Sequence, residues 1–247
     1  MLFLRSLLLL ATLLSPAFGQ DGPQIAASAK DAAQALQLYL DGVSKSGGRP
    51  DYTTPPASDL FRRVFDLEQL TALPPPQPSD ITWLTEWFGA ANQTNRLIMN
   101  FGAKPGPDLD QAAVLRNLAE YEDQYASIAN FLIRAAAREA PTMFLFMDQL
   151  TPEQRTPIRE AGLQKARGGI AGLVTSAIGS VAQGMRPANA RLITAALRDT
   201  RDALATFILP DDRKRIVGLL TKAANIVKGD EVQANLTAFA GALAAAK

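Results

Sequence analysis

Glu120, Glu122 and Asp123 surround Tyr121 and Tyr125 in a sequence that has no histidine and no cysteine. Chemistry in this chain would have to come from such groups, since carboxylates can move protons or hold a cation and phenols can hydrogen-bond a substrate. The missing residue types remove most alternatives. Without His or Cys there is no Ser-His-Asp or Cys-His arrangement, no zinc site of the usual kind and no His-ligated haem. A di-iron bundle site normally uses Glu-x-x-His. No Lys has a Ser three positions before it, and neither a P-loop nor a calcium-loop pattern is present. No metal and no cofactor is therefore expected. Against catalysis, the same carboxylates and tyrosines read as the wet edge of a helix, with rings inward and hydroxyls at the rim. Asp108 and Asp110 read first as helix caps.

Stepping outward from the cluster, Val114, Leu118, Tyr121, Tyr125, Ile128, Leu132 and Ala135 follow at spacings of 4, 3, 4, 3, 4 and 3. That rhythm is one seam of a helix, expected from Asp108 or Asp110 to Ala140, where Pro141 disfavours continuation. It should be an internal post, with Leu118, Tyr125, Ile128 and Leu132 buried in their own chain. The run Thr142–Met147 is the most apolar beyond residue 19 and is expected as a buried short helix or tight turn.

Two further stretches could bind something. Trp83 and Trp87 lie one turn apart with Phe88 adjacent, and could line an apolar ligand groove or simply fill the core. Gly168 to Met185 carries no charge, and Gly168, Gly172, Ser176 and Ser180 recur every fourth position. Small residues so spaced let a second helix approach closely. The plainer expectation is a helix buried on most sides.

The remaining elements position these groups. Helices are expected over Gln24–Gly42, from Ser58 or Asp59 before Pro74–Pro78, from Ser79–Asp80 through Ile98, from Thr151 to about Gly184, over Ala188–Phe207, from Pro210, and over Glu231–Ala246. Thr151, Pro152 and Gln154 form a capping-box pattern. No period-2 alternation is sustained. The expectation is an all-α bundle of roughly eight amphipathic helices with no sheet, as one domain over residues 20–247.

Residues 1–19 form a short start with Arg5, an apolar run and Ala17-Phe18-Gly19, the pattern of a secretory signal peptide cleaved before Gln20. Its run is too short to span a bilayer, and with no Cys a lipid anchor is excluded. The remainder carries 24 residues of each sign, so it has no electrostatic footprint for nucleic acid or an anionic membrane. An exported eukaryotic protein of this size would usually carry disulfides, so their absence favours a bacterial periplasm or exterior.

Leu150-Thr151-Pro152-Glu153-Gln154-Arg155, followed by Ile158-Arg159-Glu160, resembles the Leu-Thr-x-x-Gln motif of the Spy and CpxP periplasmic chaperones, an exported, all-helical, non-catalytic family. Where that family has a second copy, this chain has Leu209-Pro-Asp-Asp-Arg213, and the chain is longer and neutral.

The function expected is that of an exported, non-enzymatic helical protein of the bacterial envelope. It would bind a protein, an apolar ligand or itself through helix faces, with no stable membrane span after cleavage. Two alternatives are a periplasmic chaperone-like holder of unfolded clients, which requires a large exposed apolar patch, and a carboxylate-dependent enzyme, which requires Glu120 or Glu122 to meet Arg or Tyr in a pocket.

Overall fold

The computed structural model describes residues 22–104 and 110–246; the signal-like segment and Asp108 lie outside them. The described residues contain no strand. Eleven α-helices follow one another: α1 (Gly22–Lys45), α2 (Ala57–Val64), α3 (Leu67–Ala72), α4 (Ile81–Met99), α5 (Gln111–Glu120), α6 (Glu122–Asp148), α7 (Pro157–Ala182), α8 (Pro187–Asp199), α9 (Arg201–Phe207), α10 (Pro210–Ile226) and α11 (Asp230–Ala245). A 3-10 turn, Pro78–Asp80, precedes α4.

The excess over eight comes from three breaks inside expected helices, at Phe65–Asp66, Tyr121 and Thr200. Asp66 takes extended backbone and accepts from the Gln69 N–H, so a side-chain cap competes with helix continuation. Tyr121 leaves helical geometry at φ −111°, ψ 37°, while its N–H still closes onto Asn117 O at 2.8 Å. The break turns α5 out of phase with the seam. Ala113 and Asn117 become its buried residues; Leu118, and Tyr125 just past the break, are only half-buried, contrary to expectation, while Ile128 and Leu132 are buried. Asp110 is the N-cap of α5, accepting from the Ala113 N–H, while α2 begins without a side-chain cap from Ser58 or Asp59.

Two boundaries move because tertiary packing and proline rules compete. Helix α6 runs through Pro141 to Asp148. Pro141 has no N–H to offer, yet Ala140 and Thr142 on either side are fully buried, and burial outweighs the lost bond. The run Thr142–Met147 is therefore the last turns of α6, only partly buried. In the other direction, α7 starts at Pro157 with Thr156 as N-cap, not at Thr151. Thr151 N–H does bond Gln154 Oε1 at 3.0 Å, but this closes a turn. Pro157 holds Thr156 in extended backbone and so sets the start of the helix.

Helix α6 is the post. Ile128, Phe131, Leu132 and Ala135 face one buried cluster, with Ile25, Leu36, Val64 and Trp87 from α1, α2 and α4. Ala126, Ala129, Ile133, Ala136 and Ala140 face a second, with residues of α7 to α11 such as Val174, Leu197, Phe207 and Phe239. At 100° per residue the two stripes lie ~130° apart on the helix. The rest of its surface carries Asp123, Ser127, Arg134 and Arg138, exposed or partly so. Around the post, α1 packs on α2 and α4, α10 lies between α7 and α11, and α8 bridges α6 and α11.

Candidate functional site

The carboxylates of the Glu-Tyr cluster are spent on holding helices. Glu122 Oε1 accepts from the Arg186 N–H at 2.8 Å, from Arg186 Nε at 3.3 Å and from Asn189 Nδ2 at 2.8 Å. Asp123 Oδ1 accepts from Asn189 Nδ2 at 2.8 Å and from Arg186 Nη2 at 2.7 Å. These two acids, in the first turn of α6, clasp the first turn of α8. Burial opposes the charge on Glu122, but the donors from Asn189 and Arg186 outweigh it and hold its carboxyl below the ordinary range. The Asn189 amide, then Arg186, does the same for Asp123. A carboxylate with its oxygen filled and its ionised form favoured is a poor proton donor or acceptor at neutral pH. Glu120 meets Arg49 at 2.8 Å and hydrogen-bonds Tyr121, a tie between α5 and the loop after α1. Among the described residues no group of three or more His, Cys, Asp or Glu could hold a metal ion.

The tryptophans divide. Trp87 is core: it is 1% exposed, its Nε1–H donates to Val64 O at 2.9 Å, and its ring lies 5.3 Å from that of Phe131. Trp83 is half-buried against Gly22, with Nε1–H donating to Asp80 Oδ1 at 3.2 Å. Phe88 is half-buried and packs against both clusters. The three do not converge on one groove, because Trp87 points into the interior.

The small-residue face of α7 also divides. Gly168, Gly172 and Ser176 are exposed, and a Cβ added at either glycine would meet nothing within 4 Å. Ser180 is buried, with its hydroxyl 2.9 Å from that of Tyr125 and 3.1 Å from Ser176 O. The expectation of a helix buried on most sides is corrected. One face of α7 packs through Ile170, Val174, Ile178 and Val181, and the glycine face is uncovered. Every residue from Thr151 to Gly162 is exposed.

An apolar recess lies at the corner where α6 ends and α7 begins. Met143, Phe146, Met147, Gly162 and Leu163 line it, Arg159 stands at its edge, and its volume is about 140 Å³. Ile158, on the same first turn of α7, is 84% exposed. Arg159 is fixed by donating from Nη1 to Gln154 O at 2.6 Å. So the turn resembling the Leu-Thr-x-x-Gln motif anchors Arg159 at the edge of this corner. The recess was missed in the sequence because Thr142–Met147 reads as a buried core segment; the available signal was that it is Met- and Phe-rich yet follows a proline.

Two other recesses are more polar. One of about 210 Å³ lies between α5 and the end of α7, lined by Leu118, Glu122 and Ser180 among others. Another of about 420 Å³, where α10 starts and α11 ends, is lined by Lys214, Arg213, Val217 and Leu243. No helix among the described residues is long and apolar enough to cross a membrane. Comparison with known proteins gives no match: no family model, no curated protein and no solved structure aligns with the chain.

Proposed function

We propose that this is an exported, non-enzymatic protein of the bacterial envelope that binds another protein at the corner between α6 and α7. The observation that carries the reading is the recess lined by Met143, Phe146, Met147, Gly162 and Leu163. Its size decides between occupants. A free small molecule usually takes a pocket of roughly 300–1,000 Å³, whereas about 140 Å³ suits one or two apolar side chains presented by a partner. Flexible methionines adapt to such side chains without a fixed shape. The signal-like residues 1–19 support export.

The holder of unfolded clients is less favoured, because the large exposed apolar residues among those described are spread over six helices: Leu38, Leu115, Leu145, Ile158, Leu192 and Ile226. The enzyme reading is less favoured because Glu122 is committed to Arg186 and Asn189.

The test places a photo-crosslinking amino acid at Ile158 or, as a control, at the exposed Lys30 of α1, in cells expressing the full chain. The reading predicts a discrete protein adduct from position 158, absent from position 30, and lost when Gly162→Phe fills the recess. The same adducts from both positions, or none from 158, would contradict it. Gly162 has open space around it, so the filling variant leaves the core intact.

A further inference from the structure

Resting on that reading of the corner, we propose that Met143 is an oxidation site that makes the recess redox-sensitive: a peroxide turns its thioether into a sulfoxide, and the recess then no longer accepts an apolar side chain from the partner. The chain has methionine but no cysteine, so all its sulfur is thioether. Of Met99, Met143, Met147 and Met185, the methionines among the described residues, Met143 and Met147 line this one recess at i and i+4 on α6. They differ in access. Met147 is 8% exposed, and Met99, in the aromatic core, is 7% exposed. Met143 is half-buried and lines the recess. It therefore meets solvent whenever the recess is empty.

The step needs only the oxidant. The sulfur lone pair attacks one oxygen of hydrogen peroxide, the O–O bond breaks and an S–O bond forms. Sulfur loses two electrons and the peroxide leaves as water. The side chain keeps its length but gains a strong acceptor where it was apolar. Phe146, Met147, Gly162 and Leu163 line the rest of the recess, and Arg159 at its edge is the charged donor there. Arg159 Nη1 already donates to Gln154 O, and its other N–H groups are the donors the sulfoxide oxygen has at hand. An apolar side chain entering the recess would have to bury that oxygen unpaired or part it from Arg159, and either is costly. With no cysteine the chain cannot reduce the sulfoxide itself. Return needs an external thiol-dependent reductase, which removes the oxygen as water while its own thiols become a disulfide.

The experiment uses protein purified from cells expressing the full chain, with the crosslinking residue at 158. It is treated with hydrogen peroxide, each methionine is followed by peptide mass spectrometry, and the protein is then irradiated with untreated envelope extract. Met143 should take up oxygen before Met147 and Met99. The adduct from 158 should fall roughly tenfold to hundredfold as Met143 is consumed. It should return after treatment with methionine sulfoxide reductase and a dithiol. Met143→Leu conserves volume and should keep the adduct. In that variant the adduct should be indifferent to peroxide, even where Met185, half-buried at another recess, is oxidised. Met143→Gln, a polar side chain of similar length, should lose the adduct without any oxidant while its circular dichroism stays native. Three results overturn the switch: Met143 oxidising no faster than Met99, an adduct that survives complete oxidation of Met143, or one that peroxide removes equally from Met143→Leu. No adduct from 158 before any oxidant is added removes the corner as a binding site, and the switch with it.

Discussion

The two cores on α6 are built from different materials. On the side of α1 to α4, rings touch in a chain: Tyr121 against Tyr52 at 5.2 Å, Tyr52 against Phe61 at 6.1 Å, Phe61 against Phe65 at 4.8 Å, and Phe131 against both Phe65 and Trp87. On the side of α7 to α11 the core is mostly alanine and aliphatic, with one aromatic pair, Phe144 and Phe207 at 5.1 Å. The difference follows from element length. Helices α2 and α3 have 8 and 6 residues, too short to interdigitate regularly, and large rings fill the irregular space between them. Helices α7, α10 and α11 run 26, 17 and 16 residues and pack closely through small side chains. The alanine- and glycine-rich side is also the one that keeps an uncovered helix face and the apolar corner.

The junctions of α6 with its two sides differ in charge as well. On the first side, Glu139 is 3% exposed, and its Oε1 accepts from Thr85 Oγ1 on α4 at 2.8 Å. Burial pushes its carboxyl above the ordinary range. On the second side, Glu122 and Asp123 are held ionised against α8.

The largest effect expected is that of Trp87→Ala. It removes the biggest fully buried side chain and leaves Val64 O without its donor, and should cost about 3–5 kcal/mol in urea denaturation. A loss under about 1 kcal/mol would mean the aromatic core is loosely packed. Next is Asn189→Ala, which takes a donor from both clasp carboxylates and should cost about 1–3 kcal/mol near neutral pH. The carboxyls of Glu122 and Asp123 are depressed on folding, so their stabilisation is present above their unfolded values and lost as pH falls. The penalty of Asn189→Ala should accordingly shrink in acid.

Glu139→Gln should act in the opposite sense. Its folded carboxyl is raised above 4.5, so the native chain loses stability as pH rises through the folded value. The variant cannot ionise. It should melt higher than the native protein at about pH 8 and alike at about pH 4, by thermal scans monitored by circular dichroism. A variant less stable at both pH values would show that Glu139 is ionised and stabilising, and would erase the contrast between the junctions.

The fold class was legible because helix periodicity survives without knowledge of partners. Ile193, Leu197, Leu204, Ile208, Ile216, Leu220 and Ala223 are all buried where their spacing places them. The post was legible as one seam, but its second buried face was not. Ala126, Ala129, Ala136 and Ala140 are indistinguishable in sequence from exposed helix-forming alanines. The break at Tyr121 carries no glycine or proline signal and rests on how Asn117, 2% exposed, donates to Met99 O and Phe101 O across to the end of α4. At the start of α7 the legible signal was the Thr151–Gln154 capping-box pattern, and the Thr156–Pro157 geometry prevailed over it. The candidate corner was hidden for a related reason: an apolar run says that it avoids water, not which neighbour covers it. The tryptophans were legible as core or groove, and a buried backbone acceptor at Val64, which only the fold supplies, places Trp87 in the core.

One helix, α6, carries both cores, so the two sides should unfold together. Both tryptophans lie on α4, on the first side, while most of the helix beyond α6 lies on the second. Urea denaturation followed by tryptophan fluorescence and by far-ultraviolet circular dichroism should give superimposable transitions with one midpoint. A fluorescence change that is complete while the circular dichroism still reports folded helix would contradict the shared post and show two independent units.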